Sequence, residues 1–128
     1  MQRLDGVFSA NHLPKNPHLL ICNTDPFHRA GEHWVAMYVD DEGQFGEYFD
    51  SFGRPQHVAF RRYLDEHCAH WNFNNKQLQS VVSRFCGHYC VFYCILRSCS
   101  IDMSRIVSSF TDDMGFNDVL VHGFICRQ

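Results

Sequence analysis

The sequence predicts an α+β fold in which an antiparallel β-sheet packs on a central buried helix. Short runs of branched and aromatic residues between positions 19 and 52 are typical of strands. Residues 86–96 (CGHYCVFYCIL) are apolar on nearly every helical face, which is the pattern of a helix enclosed within a globular protein. A sheet packed on such a helix is an α+β arrangement.

The predicted strands lie mainly in the first half of the chain. Residues 19–22 form a short apolar run, and residues 33–39 and 45–52 are rich in aromatic and branched side chains. The turn sequence DDEG separates the last two runs, so we expect them to pair as an antiparallel hairpin. This pairing places His33 at the start of one strand and Asp50 near the end of its partner, at the same edge of the sheet.

The segment after the hairpin is expected to begin with a helix. Pro55 suits the first position of a helix that continues through residues 56–70, because a proline has no N–H that would need a partner there. The apolar stripe of this helix is expected to consist of Val58, Tyr63 or Leu64, and Cys68. Residues 72–76 are predicted to be a loop, and residues 78–82 a last strand before the buried helix.

Further helices are predicted near the C-terminus. Residues 102–110 and 117–125 have helical patterns, with Asp102 and Asn117 as N-caps and Gly115 between the helices. Asp and Asn are favoured at this position because the side-chain oxygen accepts a hydrogen bond from a backbone N–H of the first turn.

The composition fits a single folded domain that spans residues 1–128. The chain is 45% hydrophobic and 15% aromatic, its formal net charge is −3, and none of its basic runs is longer than Arg61-Arg62. A nucleic-acid-binding surface therefore has no electrostatic support in the sequence. The longest apolar run, residues 89–96, is too short to span a bilayer.

The seven cysteines are expected to be free thiols. Their number is odd and no signal-peptide pattern is present, which favours a reducing, intracellular location in the cytoplasm or nucleus. Cys90 and Cys94 lie four and eight residues after Cys86, on one helical face, and are expected to be core side chains. The same spacing with His88, or residues 67–70 (HCAH), leaves a metal site as an alternative, although zinc sites usually show tight Cys-x2-Cys pairs.

The parts of a thiol acyl-transfer site occur in the order His33, Asp50, Gln79 and Cys86. Cys86 stands at the start of the buried helix, where the helix dipole stabilises a thiolate. His33 would act as the base, and Asp50 would accept a hydrogen bond from its far ring nitrogen. The amide of Gln79 and the backbone N–H of Cys86 are candidate donors to an oxyanion, and Gly87 would let the substrate backbone approach closely.

At these residues the chain resembles the adenovirus protease (adenain) family of cysteine endopeptidases, and most of all its relatives in Maverick/Polinton-type elements and other large DNA viruses. The similar motifs are GEHW at residues 31–34, YFDSFG at 48–53, and LQS at 78–80 followed by SRFCGHYC at 83–90. GVF at residues 6–8 with LP at 13–14, and FND at 116–118 with Val121, also fit, so the resemblance spans almost the whole chain.

The resemblance implies the papain-like fold of the SUMO-protease branch, with no cofactor or metal. It implies a triad of His33, Asp50 and Cys86. Gln79 would be the oxyanion glutamine, and Trp34 the substrate-binding aromatic residue beside the histidine.

The resemblance also carries two features of adenovirus members. They are assisted by DNA and by a peptide joined through a cysteine, and Cys68 lies in about the corresponding region. An activating peptide is therefore allowed as a partner, although nothing else in the sequence supports one, and the charge balance does not support DNA. Members usually carry a helical segment before the GVF strand, which this sequence does not show.

The sequence thus predicts a thiol endopeptidase that hydrolyses peptide bonds in precursor proteins of a virus or virus-like transposon. Its substrate would be a protein or polypeptide. One alternative is an isopeptidase of the same chemistry that acts on SUMO or ubiquitin-like modifiers, and another is an inactive pseudoenzyme that only binds protein. Each site residue alone would more often be structural, so the prediction depends on their occurring together.

Overall fold

The computed structural model describes residues 4–24, 33–80 and 85–127. In these residues the chain forms five strands and four helices. The strands are β1 (Gly6–Ser9), β2 (Leu19–Asn23), β3 (Trp34–Val39), β4 (Phe45–Phe49) and β5 (His70–Phe73). The helices are α1 (Val58–His67), α2 (Cys86–Ser98), α3 (Met103–Ser108) and α4 (Met114–Cys126).

The strands form one mixed sheet in the order β1-β2-β3-β4-β5. β3 pairs antiparallel with both β2 and β4, whereas the outer pairs, β1 with β2 and β4 with β5, are parallel. The prediction of an antiparallel sheet is therefore right for the central strands and wrong at both edges. Helix α1 makes the crossover from β4 to β5, because parallel neighbours need a long connection instead of a hairpin turn.

Strand β5 overlaps the segment predicted to be a loop, so that prediction is wrong for its first residues. The sequence HWNF contains two strand-favouring aromatic residues, Trp71 and Phe73, but His70 and Asn72 separate them and four residues are too few for a clear strand pattern. Pairing with β4 determines its structure instead, with Phe45 opposite His70 and Tyr48 opposite Phe73.

The prediction of a strand over residues 78–82 is wrong for residues 78–80. They form an irregular segment, in which the backbone N–H groups of Leu78 and Gln79 both donate to the carbonyl oxygen of Ser51, at 2.8 and 3.1 Å. Residues 81 and 82 lie outside the described part of the chain. The segment is therefore anchored to the turn after β4 and does not extend the sheet.

Helix α1 begins later than predicted. It starts at Val58, so Pro55 precedes the helix and is not its first residue. His57 is the N-cap, because its Nδ1 atom accepts a hydrogen bond from the N–H of Ala59 at 3.1 Å. Val58 is 58% exposed and does not lie on the buried face. That face consists of Phe60, Tyr63 and Leu64.

Helices cover both faces of the sheet. Leu19 and Ile21 on β2 belong to a core with side chains of α2, α3 and α4, whereas Leu20 and Cys22 belong to a second core with side chains of α1. Successive residues of a strand point to opposite faces, so both faces of β2 are buried. This explains why β2 is a continuous apolar run instead of an alternating one.

The predicted buried helix is α2, which starts at Cys86 and packs against β2 and β3. Cys90 and Cys94 are buried in the core, as predicted. Val91 is 37% exposed, so the helix has one open side. None of the described helices is both long enough and apolar enough to cross a membrane.

The C-terminal helices form as predicted, but one boundary is wrong. Asp102 caps α3, because its Oδ1 atom accepts a hydrogen bond from the backbone N–H of Arg105 at 2.9 Å. Helix α4 begins at Met114 and is capped by Asp113, so Gly115 lies inside it and Asn117 is not its N-cap. Asn117 is fully buried, and its side-chain amide makes hydrogen bonds with the backbone of Leu78 and Thr111.

A buried carboxylate ties the sheet to two helices. Glu47 on β4 accepts hydrogen bonds from the hydroxyl of Tyr93 at 2.5 Å and from the backbone N–H of Met103 at 3.0 Å. The Nε atom of Arg97 lies 3.7 Å from this carboxylate, and its guanidinium lies over the ring of Tyr38. Because a buried charge is stable only when it is paired and hydrogen-bonded, this cluster fixes α2 and α3 on the sheet.

Candidate active site

The hairpin brings His33 and Asp50 together, as predicted. His33 directly precedes β3 and Asp50 directly follows β4, and these strands pair antiparallel. The Nε2 atom of His33 lies 2.8 Å from Oδ1 of Asp50, and both side chains are buried. Nδ1 of His33 has no hydrogen bond of ordinary geometry to any described residue, so it is the ring nitrogen left for a reacting group.

Asn74, which no sequence motif identifies, holds the backbone of Asp50. Its Oδ1 atom accepts a hydrogen bond from the N–H of Asp50 at 2.8 Å, and its Nδ2 atom donates to the carbonyl oxygen of Asp50 at 2.6 Å. The side-chain amide thereby replaces the backbone partner that a neighbouring strand would provide. The run NFNN contains this residue, but nothing in the run distinguishes Asn74 from Asn72 or Asn75.

Cys86 is the first residue of α2 and is 6% exposed. Burial by itself raises the pKa of this thiol, but the ring of His33 and the backbone N–H groups of Trp34 and Gly87 stabilise the thiolate. The net effect is a pKa below the ordinary value of a cysteine. The contribution of the Trp34 backbone has no signal in the sequence, because it depends on how the start of β3 meets the start of α2.

The charge state of His33 is shifted in the complementary direction. Burial alone lowers its pKa, but the carboxylate of Asp50 and the thiol of Cys86 raise it more, to about 9. These two groups therefore titrate as a coupled pair. The favoured state of the pair between its two pKa values is a thiolate beside an imidazolium, which is the activated form of a cysteine nucleophile.

The core thiols differ from Cys86 in this respect. Burial raises the pKa of Cys22 and of Cys90 well above the ordinary value, and it raises the pKa of Cys94 to about 12. These thiols are protonated at neutral pH and serve as small apolar side chains. Among the buried cysteines of the two cores and the site, the environment of Cys86 is thus the one that favours an anion.

Gln79 is fully buried beside the turn that carries Asp50. The hydroxyl of Ser51 donates to its Oε1 atom at 2.6 Å, and its backbone N–H donates to the carbonyl oxygen of Ser51 at 3.1 Å. Because Ser51 holds the amide oxygen, the amide nitrogen points the other way. The role of Gln79 toward an oxyanion stays a prediction.

An apolar groove lies at the start of α2, beside the residue that follows Cys86. Its volume is about 350 Å³, and the two predicted substrate-binding residues, Trp34 and Gly87, both line it. The remaining lining residues are Val7, Ile21, His88, Val91 and Ile125. The groove can therefore accept an apolar segment of an extended chain next to Cys86.

Two other cavities have a different relation to the site. A polar cavity of about 340 Å³ reaches His33 and Asp50 from the side of Arg54 and His57. A cavity of about 500 Å³ lies between β4, β5 and α3, and no triad residue lines it. Its lining includes Ser104, Ser108 and Asp102 but no cysteine and no histidine, so a thiol–imidazole pair places the candidate site at Cys86 despite the smaller groove there.

Comparison with solved structures assigns the fold. The chain is similar to two crystal structures of the pS273R protease of African swine fever virus (ASFV), one of them with selenomethionine. Both have 24% sequence identity and a TM-score of 0.59, and the similarity covers 82% and 86% of this chain. The chain has the fold of a viral protease. No protein-family model matches the sequence, and no curated protein matches it.

The similarity covers 43% of the pS273R chain in both structures, so this chain spans less than half the length of the protein that it resembles.

Proposed function

We propose that this chain is a thiol endopeptidase in which Cys86 is the nucleophile and His33 the general base. The observation that carries the proposal is the buried His33–Asp50 pair beside a thiol whose pKa is lowered, at the N-terminus of a helix. This constellation occurs in a chain with the fold of a viral protease, which supports protease chemistry over an unrelated use of the same residues.

The proposed reaction follows from the roles of these atoms. The thiolate of Cys86 attacks the scissile carbonyl carbon, and a carbon–sulfur bond forms while the carbonyl oxygen becomes an oxyanion. The backbone N–H of Cys86 and the amide of Gln79 would donate to that oxygen. His33 gives its proton to the leaving amine as the peptide bond breaks. It then takes a proton from water, which hydrolyses the acyl-enzyme and restores the thiolate.

Asp50 stabilises the imidazolium without exchanging a proton in this scheme. Its hydrogen bond to Nε2 of His33 fixes the ring orientation, and Nδ1 is then the ring nitrogen that serves Cys86. Peptide substrate would lie in the groove beside Trp34 and Gly87.

The proposed substrates are precursor proteins of a virus or a virus-like transposon. The motifs around His33, Asp50 and Cys86 support this assignment, because they resemble the adenain-like peptidases of such elements. The similarity to an ASFV protease supports a viral setting as well. Residues 1–128 would form the protease domain.

The isopeptidase alternative has less support. A narrow tunnel between Trp34 and a second aromatic residue would favour a glycine-rich modifier tail, but no other Phe, Tyr or Trp lines the described groove. Labelling by a SUMO or ubiquitin probe with a reactive C-terminus would revive this alternative.

Cleavage of a proteome-derived peptide library tests the proposal, with new termini read by mass spectrometry. We expect cleavage by the wild type, and a loss of about 10⁴-fold or more in kcat/KM for Cys86→Ala at an unchanged melting temperature. Cys90→Ala is the matched control, which should lower stability by about 1 kcal/mol while cleavage continues. Cleavage that persists in Cys86→Ala would overturn the proposal, as would an inactive wild type whose Cys86 is not activated.

A further inference from the structure

A polar cluster at the start of α4 holds the segment that carries Gln79. We call Tyr89, Asn117 and Asp118 the α4 clamp. All three side chains are buried, with exposures of 0%, 0% and 9%. The mechanism proposed above uses none of them, and FND at residues 116–118 was part of the sequence resemblance without an assigned role.

Asn117 binds the backbone on one side of Gln79. Its Nδ2 atom donates to the carbonyl oxygen of Leu78 at 3.0 Å and to that of Thr111 at 2.8 Å. Its Oδ1 atom accepts hydrogen bonds from the backbone N–H and the hydroxyl of Thr111, both at 2.9 Å. The amide is fully used, so its orientation is fixed.

Asp118 and Tyr89 contact the backbone on both sides of Gln79. The hydroxyl of Tyr89 donates to Oδ1 of Asp118 at 2.8 Å and lies 3.3 Å from the carbonyl oxygen of Leu78. The same oxygen of Asp118 accepts the N–H of Ser80 at a long 3.5 Å. Burial and the nearby carboxylate raise the pKa of Tyr89, so its hydroxyl stays a donor wherever the enzyme would work.

The clamp thus touches the two neighbours of Gln79, Leu78 and Ser80. It reaches them from α2, one helical turn after Cys86, and from α4. Ser51 holds the amide oxygen of Gln79 from the opposite direction. The segment is irregular, so no ladder of sheet hydrogen bonds fixes residues 78–80. The clamp and Ser51 hold this segment, together with the side chain of Gln77, which donates to the carbonyl oxygen of Gln79 at 3.0 Å.

We propose that Asp118 is a positioning residue for the oxyanion donor: through Tyr89 and Ser80 it fixes the backbone that carries the amide of Gln79. The inference rests on the proposed function. A misplacement of about 1 Å in such a group lowers a rate by about a hundredfold. Loss of the clamp should therefore slow acyl transfer while the Cys86–His33 pair stays activated, because none of the groups that shift the pKa values of this pair belongs to the clamp.

Two rates measured in parallel test this inference. One is kcat for a peptide that the wild type cleaves, and the other is alkylation of Cys86 by iodoacetamide at pH 6, which needs no oxyanion donor. We expect Asp118→Ala and Tyr89→Phe to lower kcat by about tenfold to a hundredfold, with KM and alkylation rate changed less than about twofold. Asp118→Asn, which keeps an acceptor for Tyr89, should restore most of kcat.

Asp113→Ala is the matched control, because it removes the N-cap of the same helix without touching residues 78–80. It should lower stability and leave kcat at a temperature below unfolding unchanged. The inference is overturned if the Asp118→Ala and Tyr89→Phe variants both cleave the peptide with the kcat of the wild type. It is equally overturned if alkylation falls in parallel with kcat, since the clamp would then support the whole site. Failure of the proposed function is distinct, because the wild type itself would not cleave.

Discussion

Asp50 sets the charge of His33, and through it the reactivity of Cys86. Burial opposes the charged form of both His33 and Cys86, so neither would be ionised at neutral pH without a partner. The carboxylate at 2.8 Å reverses this for the imidazole, and the imidazolium does so for the thiol. The three side chains therefore act as one unit, and a substitution in any of them changes the other two.

The pH dependence of kcat/KM follows from these shifts. The active form needs Cys86 deprotonated and His33 protonated, so activity rises through the lowered pKa of Cys86 and falls near pH 9 with His33. In Asp50→Asn the amide still accepts the hydrogen bond but the charge is lost. The pKa of His33 should fall, because burial then dominates, and the alkaline limb should move to lower pH. We expect kcat/KM to fall by about a hundredfold or more.

A pH–rate profile of wild type and Asp50→Asn from about pH 5 to 10 checks this expectation. An alkaline limb that stays near pH 9 in the variant would mean that the carboxylate is not what holds the proton on His33.

At the residue scale, the sequence identifies the candidate reacting side chains better than the groups that hold them in place. His33, Asp50 and Cys86 stand in recognisable motifs, and the structure brings them together. Asn74 does not stand in a recognisable motif, because the sequence does not show which of the neighbouring asparagines points inward. The backbone N–H of Trp34 is equally hidden, because every residue except proline has one and only the packing of β3 on α2 selects it.

At the scale of elements, the turn after β4 depends on one glycine. Gly53 has a φ of +64°, and its N–H donates to the carbonyl oxygen of Asp50 at 2.9 Å. A Cβ there would lie 2.7 Å from backbone atoms of Asn75 and Lys76, which cannot move away as a flexible side chain could.

Gly53→Ala should therefore lower the free energy of unfolding by about 1–3 kcal/mol, measured by urea denaturation. Gly123→Ala is the control, because it lies inside α4 with nothing within 4 Å of the methyl group that alanine would add, and it should raise stability by about 0.5–1 kcal/mol. A Gly53→Ala protein as stable as the wild type would show that the turn relaxes without strain.

Elements whose side chains carry a periodic pattern were predictable, and those formed by backbone pairing were not. β2, β3, β4 and α2 bury apolar side chains and are recognisable in the sequence. β5 is largely exposed and exists because the edge of β4 binds it. The start of α4 was misplaced because two residues, Asp113 and Asn117, could serve as N-cap, and burial decided between them.

At the scale of the whole molecule, the Glu47 cluster joins the sheet to α2 and α3. Glu47→Ala would leave the Tyr93 hydroxyl buried without its acceptor and the Arg97 guanidinium without its counter-charge, so we expect a loss of about 3–5 kcal/mol in the free energy of unfolding. Lys76→Ala is the contrasting control, because its ion pair with Asp112 is exposed and should matter little. Equal melting temperatures for the two variants would contradict this account.

The arrangement of layers explains why a chain of this size can bury His33, Asp50 and Cys86. The sheet has helices on both faces, and the site lies where the strand ends of β3 and β4 meet the start of α2. The sequence predicts this meeting point because it identifies both the β3–β4 hairpin and the start of the buried helix. The parallel edges of the sheet carry no motif and came only from the structure.

The most direct test of the central claim is the pH dependence of Cys86 alkylation by iodoacetamide. The exposed thiols would obscure it, so the parent protein should carry Cys99→Ser and Cys126→Ser, and the buried core thiols then stay protonated. We predict rapid modification at pH 6 in the parent, and a rate at least about tenfold lower when His33→Ala is added. Modification that rises only near pH 8.5 in both proteins, the ordinary thiol value, would contradict the thiolate–imidazolium pair and with it the proposed peptidase.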